Sequence, residues 1–498
     1  MFSENSIVVI TSRERNWWWA MQEIIPAIDS VWAGIGDSKF EDVCILCVPL
    51  ENETKQRLNE CVSKPKRIVM TTVTPETEKV ALHLRSQLQL DTPMIVYLSG
   101  DATEGLHSFG ILANNFTQND VFVVASEADA AATRCSFPDA QVSVIPFPLV
   151  DKFTLNDEVS IKRFAAGRFA YVGRVSEQKN LHTLLFAIWI LHNWYDQIPK
   201  ITLDVYSSED NLGSPNMGIK FSNYGEYLQC LAELLCIDHI VTWHGFKSRD
   251  WLFENVHLEP HILVTPSLHS DENFGASVLA SLTNGNTVIA TAWGGHPGYQ
   301  EWFSQQLMLV PVHRSTLGPV VDPVLLANFL LRAASDSDSF ATNHAALKAA
   351  RAEFSKSSVI VRTLKMLRRP HVKGEPLKKS SIQLAIDENR EIFGGTRKIF
   401  TCYADRIAQV FFEAYGMKEP LTFQEQCSYF LPPWVSHSDG VLRIDDPHRG
   451  RQSFNLDASV SELIDVIACP SMNICRLPIS LVKQLATQGY AFPLPPAV

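Results

Sequence analysis

Hydrophobic and polar positions in the first part of the chain alternate between two periods. Short runs rich in valine and isoleucine, typical of strands buried on both faces, are separated by longer stretches with helical spacing. The predicted strands are Ser6–Thr11, Asp42–Val48, Arg67–Thr72, Pro93–Leu98, Asp120–Ala125 and Gln141–Pro146. Helices are predicted at Trp17–Ile28 and Pro75–Leu88. This alternation predicts a parallel sheet with helices on both of its faces.

The same pattern restarts after a break between Val150 and Phe164. The predicted strands are Phe169–Val172, Ile201–Tyr206, Ile240–Trp243, His261–Thr265, Thr287–Thr291 and Met308–Val310. Helices are predicted at Asn180–Trp194, at Tyr224–Leu235, and before Gly285, a residue type that often ends helices. We therefore predict two doubly wound, Rossmann-like domains, residues 1–155 and 156–370. Ligands of such sheets bind beyond the carboxyl ends of the strands, so we expect the two domains to face a cleft.

The pattern changes from about residue 371. The polar, proline-containing segment Lys373–Ser381 predicts a linker. The segments Lys398–Tyr415, Ser459–Ala468 and Pro478–Gln488 predict amphipathic helices. For residues 371–498 we therefore expect a linker, a return helix and a small, mostly helical or winged-helix-like module.

Composition narrows the class of partner. The chain has 498 residues, of which 46% are hydrophobic and 19% charged, and its formal net charge is -11. Without a broad basic field, no nucleic-acid partner is expected. No run approaches the roughly 20 apolar residues of a membrane-spanning helix, although a peripheral membrane contact stays open. Scattered cysteines and a start without secretory features predict a reducing, cytoplasmic compartment.

The most informative segment is Ser270–Ala280, which lies between two predicted strands. Glu272 and the turn at Asn273–Gly275 open a helix whose first amide groups have no partner within the helix. Such amides, at the positive end of the helix dipole, bind anions, and a carboxylate accepts hydrogen bonds from hydroxyl groups. A phosphate beside a polyol is the chemistry of a nucleotide-sugar. The structural alternative for Glu272 is an acid that only stabilises the helix start.

Two cations flank the first strand-to-helix turn of the second domain. Arg174 and Lys179 are five positions apart there, and together they can neutralise a diphosphate. Taken alone, they are better explained as a pair of surface charges.

Four segments of the second domain, in this order, resemble the retaining GT-B glycosyltransferases of glycosyltransferase family four. They are Tyr171–Asn180, Val241–Phe246, Pro266–Gly275 and Val288–Pro297. The resemblance extends over residues 169–310 by motif and over residues 6–150 by architecture alone. It implies a GT-B fold and the transfer of a hexose, with retention, from a nucleotide-sugar to a glycan, a lipid-linked sugar or a protein.

The resemblance also implies roles for individual residues. Glu272, Arg174 and Lys179 would be the catalytic residues, since the two cations would stabilise the leaving diphosphate while Glu272 orients the sugar. The donor-binding residues would be Gly173, His244, Gly245, Asn273, Phe274, Gly275 and Ser277. No metal is required for this chemistry, and no cofactor is expected besides the donor itself, with UDP- and GDP-sugars favoured.

Apart from Gly298, which stands where the family often has a glutamate, the chain departs from the family pattern at three places. Ala280 stands where the family has a second acid that holds the ribose, and Ser99 stands where many relatives have a histidine. The glycine-rich turn after the first strand is replaced by an arginine- and tryptophan-containing segment. Candidate acceptor or cleft residues in these regions are Arg13, Arg15, Asp101 and His107.

Two other hypotheses stay open. One is a catalytically silent, GT-B-like protein that binds sugars or nucleotides or acts as a scaffold, which the three departures favour. The other is a different enzyme of the same architecture, such as an epimerase or a phosphorylase. The presence of Arg174, Lys179 and Glu272 favours transfer, because a scaffold needs none of them.

Overall fold

The structure is a computed structural model that describes residues 5–12, 21–59, 65–87, 92–99, 114–148, 166–195, 201–209, 223–269, 272–335, 344–369, 374–392, 406–424, 427–438, 440–447, 450–455, 462–468 and 473–495. By contact density the chain divides into two compact units. The first comprises Met1–Asp157, Ser270–Thr283 and His344–Ile399, and the second comprises Glu158–His269, Asn284–Asn343 and Phe400–Val498. Compared with the predicted domains, the segments 270–283 and 344–399 group with the first unit.

The strands are numbered in chain order. They are β1 (Ser6–Ser12), β2 (Asp42–Val48), β3 (Arg67–Met70), β4 (Met94–Leu98), β5 (Val121–Val124), β6 (Gln141–Val144), β7 (Arg168–Val175), β8 (Thr202–Glu209), β9 (Val241–Gly245), β10 (Ile262–Thr265), β11 (Thr287–Thr291), β12 (Leu307–Val310), β13 (Val312–Ser315), β14 (Gly318–Val321), β15 (Tyr429–Leu431), β16 (Val435–Ser438), β17 (Val441–Asp446), β18 (Gly450–Asn455), β19 (Leu463–Ala468), β20 (Asn473–Pro478) and β21 (Phe492–Pro493).

The α-helices are numbered in the same way. They are α1 (Met21–Asp37), α2 (Asn52–Asn59), α3 (Pro75–Gln87), α4 (Glu127–Ser136), α5 (Leu181–Trp194), α6 (Tyr224–Leu234), α7 (Arg249–Leu252), α8 (Ala276–Thr283), α9 (Pro323–Ser335), α10 (His344–Glu353), α11 (Lys356–Leu367), α12 (Ser381–Ile392), α13 (Arg406–Ala414) and α14 (Ile479–Gln488).

The first unit contains a parallel sheet of six strands in the order β2-β1-β3-β4-β5-β6. The four inner strands are buried at every position, which explains their continuous apolar sequence. All six predicted strands are confirmed. Helix α1 continues well beyond its predicted end at Ile28, while α2 and α4 were not predicted.

The segment predicted as a linker is bound to the first unit. The amide of Gln118 donates to the carbonyl of Glu375 (2.8 Å), and the amide of Leu377 donates to the carbonyl of Phe116 (3.0 Å). The side chain of Leu377 is buried. Polar composition alone did not reveal these backbone pairs, because their partners come from a distant part of the chain.

The second unit contains another parallel sheet of six strands, in the order β12-β11-β10-β7-β8-β9. The chain enters at the inner strand β7, moves outward through β8 and β9, and then returns to β10 before moving out through β11 and β12. This is the strand order of dinucleotide-binding Rossmann folds, and its direction reverses between β7 and β10. The six predicted strands of this half are confirmed as well.

The C-terminal module, defined here as the described residues of 406–495, contains the helices α13 and α14 and two small sheets. One sheet has the order β20-β19-β15-β21, and the other has the order β16-β17-β18. Helices were expected in this region, and α14 confirms the predicted helix at Pro478–Gln488. The structure adds strands that the sequence did not predict.

The helix predicted at Ser459–Ala468 is wrong in its described part, which is strand β19. This strand pairs antiparallel with β20 and parallel with β15. Ile464 and Val466 point into the core of the module, whereas Asp465 between them binds the exposed Arg476 at 2.9 Å. Side chains alternate across a strand in this way. Over six residues the apolar spacing fits a helix as well as a strand, so the partner strands decide.

Candidate functional site

The end of β7 and the turn that follows it occupy the position where the strand order of the second sheet reverses. We call Gly173–Asn180 the switch-point loop. The Tyr171 hydroxyl donates to the carbonyl of Arg174 at 2.7 Å. A Cβ atom at Gly173 would lie only 2.7 Å from that hydroxyl oxygen. Glycine at this position therefore allows a buried tyrosine to fix the start of the loop.

The switch-point loop is bound to the turn after β10, which we call the β10 loop (Pro266–His269). Asn180 has left-handed backbone geometry, with φ of 59°. Its side chain donates to the carbonyl of Pro266 at 3.2 Å and accepts from the Thr183 hydroxyl at 2.7 Å. The amide of Leu268 donates to the carbonyl of Gln178 at 2.8 Å. These bonds hold together the turns on the two sides of the reversal.

The two predicted cations, Arg174 and Lys179, both lie on the switch-point loop, and both are half-buried. Lys179 ends a short 3-10 turn that begins at Glu177. Gly173, predicted to bind the donor, begins the same loop. A loop with two cations at the carboxyl end of a central parallel strand can bind a phosphate-containing ligand.

A second polar group lies on the neighbouring strands β8 and β9. The Nε2 atom of His244 is 2.7 Å from a carboxylate oxygen of Asp204, and the imidazole stacks on the Tyr206 ring with centroids 4.4 Å apart. Burial, followed by the negative charge of Asp204, raises the pKa of Tyr206, so the phenol stays protonated near neutral pH. Gly245, with φ of +65°, follows His244.

The sequence did not single out Asp204 or Tyr206. They are two positions apart on β8, so both side chains face the same side of the sheet. The signal in the sequence was the carboxylate of Asp204, which lies inside a predicted strand. Its partner His244 could be found only once β8 was known to pair with β9.

The acidic motif around Glu272 belongs to the first unit. Glu272 and Asn273 are buried, and Phe274 packs against Phe147 and Phe354 with ring centroids 5.0 and 6.3 Å apart. Gly275, with φ of +66°, precedes helix α8 as predicted. The buried Nδ2 donor of Asn273 has no hydrogen-bond partner among the residues that the structure describes.

Other predicted positions are described in part. Ser277 lies in the first turn of α8 and is half-buried, and Ala280 is fully buried at 1% exposure. Ser99 is buried after β4. The candidates Arg13, Arg15, Asp101 and His107 lie outside the described residues, so the structure places none of them.

In the described ranges, no group of three or more His, Cys, Asp or Glu side chains is arranged to hold a metal ion. No helix in the same ranges is long and apolar enough to cross a membrane.

Residues 162–312 match the family described as glycosyl transferases group 1. The matched segment begins just before β7 and ends after β12, so it contains the whole second sheet, the switch-point loop and the β10 loop. Together with the two six-stranded parallel sheets, the match supports a glycosyltransferase of the GT-B type. No curated protein matches the chain significantly.

Several solved structures align with much of the chain at low identity. The lipopolysaccharide outer core galactosyltransferase WaaB aligns at 14% identity and a TM-score of 0.49, covering 73% of this chain and 99% of that one. A UDP-forming trehalose-phosphate synthase from Burkholderia xenovorans aligns at 13% identity and 0.44, covering 74% and 99%. AviGT4, a glycosyltransferase involved in avilamycin A biosynthesis, aligns at 12% and 0.44, covering 73% and 97%. At these identities none of them indicates the donor or acceptor of this chain.

Proposed function

We propose that the protein transfers a hexose from a nucleotide-sugar to a glycan, a lipid-linked sugar or a protein, with retention of the anomeric configuration. The observation that carries the proposal is the position of the switch-point loop. It holds Arg174 and Lys179 at the reversal of a sheet that matches glycosyl transferases group 1. Ligands of open α/β sheets bind at such reversals.

In this proposal the two cations act on the leaving group. Arg174 and Lys179 bind the diphosphate and stabilise the negative charge that develops as the glycosidic bond breaks. The departing phosphate accepts the proton of the attacking hydroxyl group on the same face of the sugar. Because the cations balance the charge, the reaction needs no metal ion. UDP- and GDP-sugars are the proposed donors.

The remaining donor contacts are proposed from the resemblance. His244 and Gly245 would contact the donor from the end of β9. Glu272 would accept hydrogen bonds from sugar hydroxyls, and Asn273 to Gly275 would present donors to the sugar or phosphate. The buried Nδ2 atom of Asn273, which lacks a partner among the described residues, favours a ligand at this helix start, because buried donors are normally paired.

A thermal-shift panel of UDP-, GDP-, ADP-, TDP- and CMP-sugars tests the proposal. A ligand present at a hundredfold excess over its Kd adds about 2.7 kcal/mol to the free energy of unfolding, which raises Tm measurably. We expect one nucleotide to raise Tm, and Arg174→Ala/Lys179→Ala to abolish the shift. The control Arg443→Ala/Arg451→Ala removes two exposed cations from the C-terminal module and keeps the shift.

Two results would count against the proposal. One is that no nucleotide-sugar raises Tm of the wild type. The other is that the Arg174→Ala/Lys179→Ala variant shifts as much as the wild type, since the ligand would then bind elsewhere.

One specific observation favours a second candidate function. The fully buried methyl group of Ala280 cannot accept hydrogen bonds from a ribose, which favours weak donor binding and fits a catalytically silent GT-B-like protein that binds sugars or nucleotides or acts as a scaffold. Release of nucleoside diphosphate from the donor found in the panel separates the two functions. A transferase turns the donor over, at least slowly to water, whereas a binding protein leaves it intact.

A further inference from the structure

The C-terminal module packs on the turn after β11, which we call the β11 loop (Ala292–His296). The amide of Gly294 donates to the carbonyl of Tyr415, directly after α13, at 2.9 Å. The Trp293 ring packs against Phe412 and Tyr415, with both centroid distances 5.8 Å. Gly416 has φ of +111°, and a Cβ atom there would lie 2.7 Å from the first carbonyl oxygen of the β11 loop. Glycine at this position permits the close approach.

Hydrogen bonds continue from the β11 loop to the switch-point loop. The indole Nε1 of Trp293, whose side chain is fully buried, donates to the carbonyl of His269 in the β10 loop at 2.7 Å. The next residue back, Leu268, donates its amide to Gln178 of the switch-point loop at 2.8 Å. The side chain of Asn180 adds the contact with the β10 loop described above. Three successive loops at the carboxyl edge of the second sheet are thus joined to α13.

The module also packs on α5, the helix that begins directly after the switch-point loop. The Trp434 ring lies 5.2 Å from that of Phe186 and 6.0 Å from that of His182. The Phe430 ring lies 5.9 Å from Phe186 and 5.8 Å from Trp189. The module is therefore joined to the C-terminal end of the switch-point loop by two routes, through Trp293 and through α5.

We propose that the C-terminal module is a positioning element for the donor loops, and that Trp293 is the residue through which α13 fixes them. Binding sites work when their groups are held close to the productive geometry, and loops alone rarely provide that precision. The module lies outside the segment that matches glycosyl transferases group 1. The assignment of these loops as the ones that bind the donor rests on the function proposed above.

The test substitutes Trp293→Phe in the full chain. Phenylalanine keeps an aromatic ring against α13 but removes the donor to His269. We expect faster amide hydrogen exchange in residues 266–269 and 176–180. We also expect a Kd roughly three- to tenfold weaker for the nucleoside diphosphate found in the panel, as for the loss of one buried hydrogen bond.

A control variant removes hydrogen bonds inside the module. The hydroxyl of the fully buried Tyr429 donates to the carbonyl of Gln424 at 3.0 Å and accepts from the amide of Gln424 at 2.8 Å. Tyr429→Phe removes both bonds and lies outside the β11 loop. We expect it to lower the stability of the module while exchange in residues 266–269 and 176–180 stays at the wild-type rate.

The outcomes separate this inference from the proposed function. Unchanged exchange in Trp293→Phe overturns the inference, whether or not any nucleotide binds. Equal acceleration in Tyr429→Phe overturns the role assigned to Trp293, because general loosening of the module would then explain the result. If the wild type binds no nucleoside diphosphate, the proposed function fails, while the exchange measurement still decides whether Trp293 positions the loops.

Discussion

Alanine at Gly173 should displace the Tyr171 hydroxyl from the carbonyl of Arg174. The added Cβ atom would lie 2.7 Å from the Tyr171 oxygen and 3.1 Å from the ring carbon that carries it. Because the ring is buried at 1% exposure, it cannot swing into solvent. The lost hydrogen bond costs about 1 kcal/mol, and overpacking adds roughly 1–3 kcal/mol.

One opposing effect reduces this cost. Gly173 does not have positive φ, so alanine fits its backbone and restricts the unfolded chain, which stabilises by about 0.5 kcal/mol. The expected net loss for Gly173→Ala is therefore roughly 1.5–3.5 kcal/mol in the free energy of unfolding. Tyr171→Phe alone should cost about 1 kcal/mol.

A double-mutant cycle of Gly173→Ala and Tyr171→Phe tests this reasoning, with stability measured by equilibrium urea unfolding. In the Tyr171→Phe background the closest oxygen is gone, so Gly173→Ala should cost at least about 1 kcal/mol less than in the wild type. A matched control is Gly245→Ala, where φ is +65° but no other atom lies within 4 Å of the added Cβ. Its cost should come from the backbone and should add to that of Tyr171→Phe. Additivity in the Gly173 cycle would refute the reasoning.

Two further predictions concern buried ionisable side chains. Asp120→Ala should lower the free energy of unfolding in urea by roughly 3–5 kcal/mol, because it leaves the guanidinium of Arg85 buried without the carboxylate that it contacts at 3.0 Å. The control Asp465→Ala, which breaks an exposed ion pair, should cost less than about 1 kcal/mol. Equal costs for the two variants would contradict the argument. Burial, followed by the neighbouring His261, lowers the pKa of His257 from 6.5 to about 3. The folded state therefore binds fewer protons than the unfolded state between these values. The stability that the neutral His257 contributes is fully present above about pH 6.5 and is lost toward pH 3. The free energy of unfolding should therefore fall by roughly 2 kcal/mol between pH 7 and pH 5. Urea midpoints at the two pH values measure this loss, and His257→Leu should remove it; an unchanged loss in that variant would assign it to other groups.

Both large sheets could be predicted from the sequence because their strands are short, continuous apolar runs between helical patterns. Such runs are required wherever a parallel strand is covered on both faces, so local composition records the burial. The order of the strands was not predictable, since it depends on which runs pair. That order identifies the switch-point loop, with Arg174 and Lys179, as the reversal point.

The short strands of the C-terminal module show where local pattern fails. In β19, Ile464 and Val466 alternate with Asp465, but six residues do not distinguish a strand from an amphipathic helix. The neighbouring strands β15 and β20 supply the hydrogen bonds that make it a strand. Predictions of short elements depend on partners that local sequence does not show.

The candidate site divides in the same way. The sequence by itself determined the residue types on which the proposed function rests, namely the cations of the switch-point loop and the acid, amide and glycine that open α8. Each of these two groups lies within one short segment, and a single turn brings its members together. Spacing along the sequence was therefore enough to find them. Asp204, Tyr206 and Trp293 acquire their contacts through pairing of β8 with β9 and through packing of the β11 loop on α13. Only the tertiary structure could decide these contacts, because their partners lie between 24 and 122 residues away in the chain. At such separations the local sequence does not indicate which residues will be in contact.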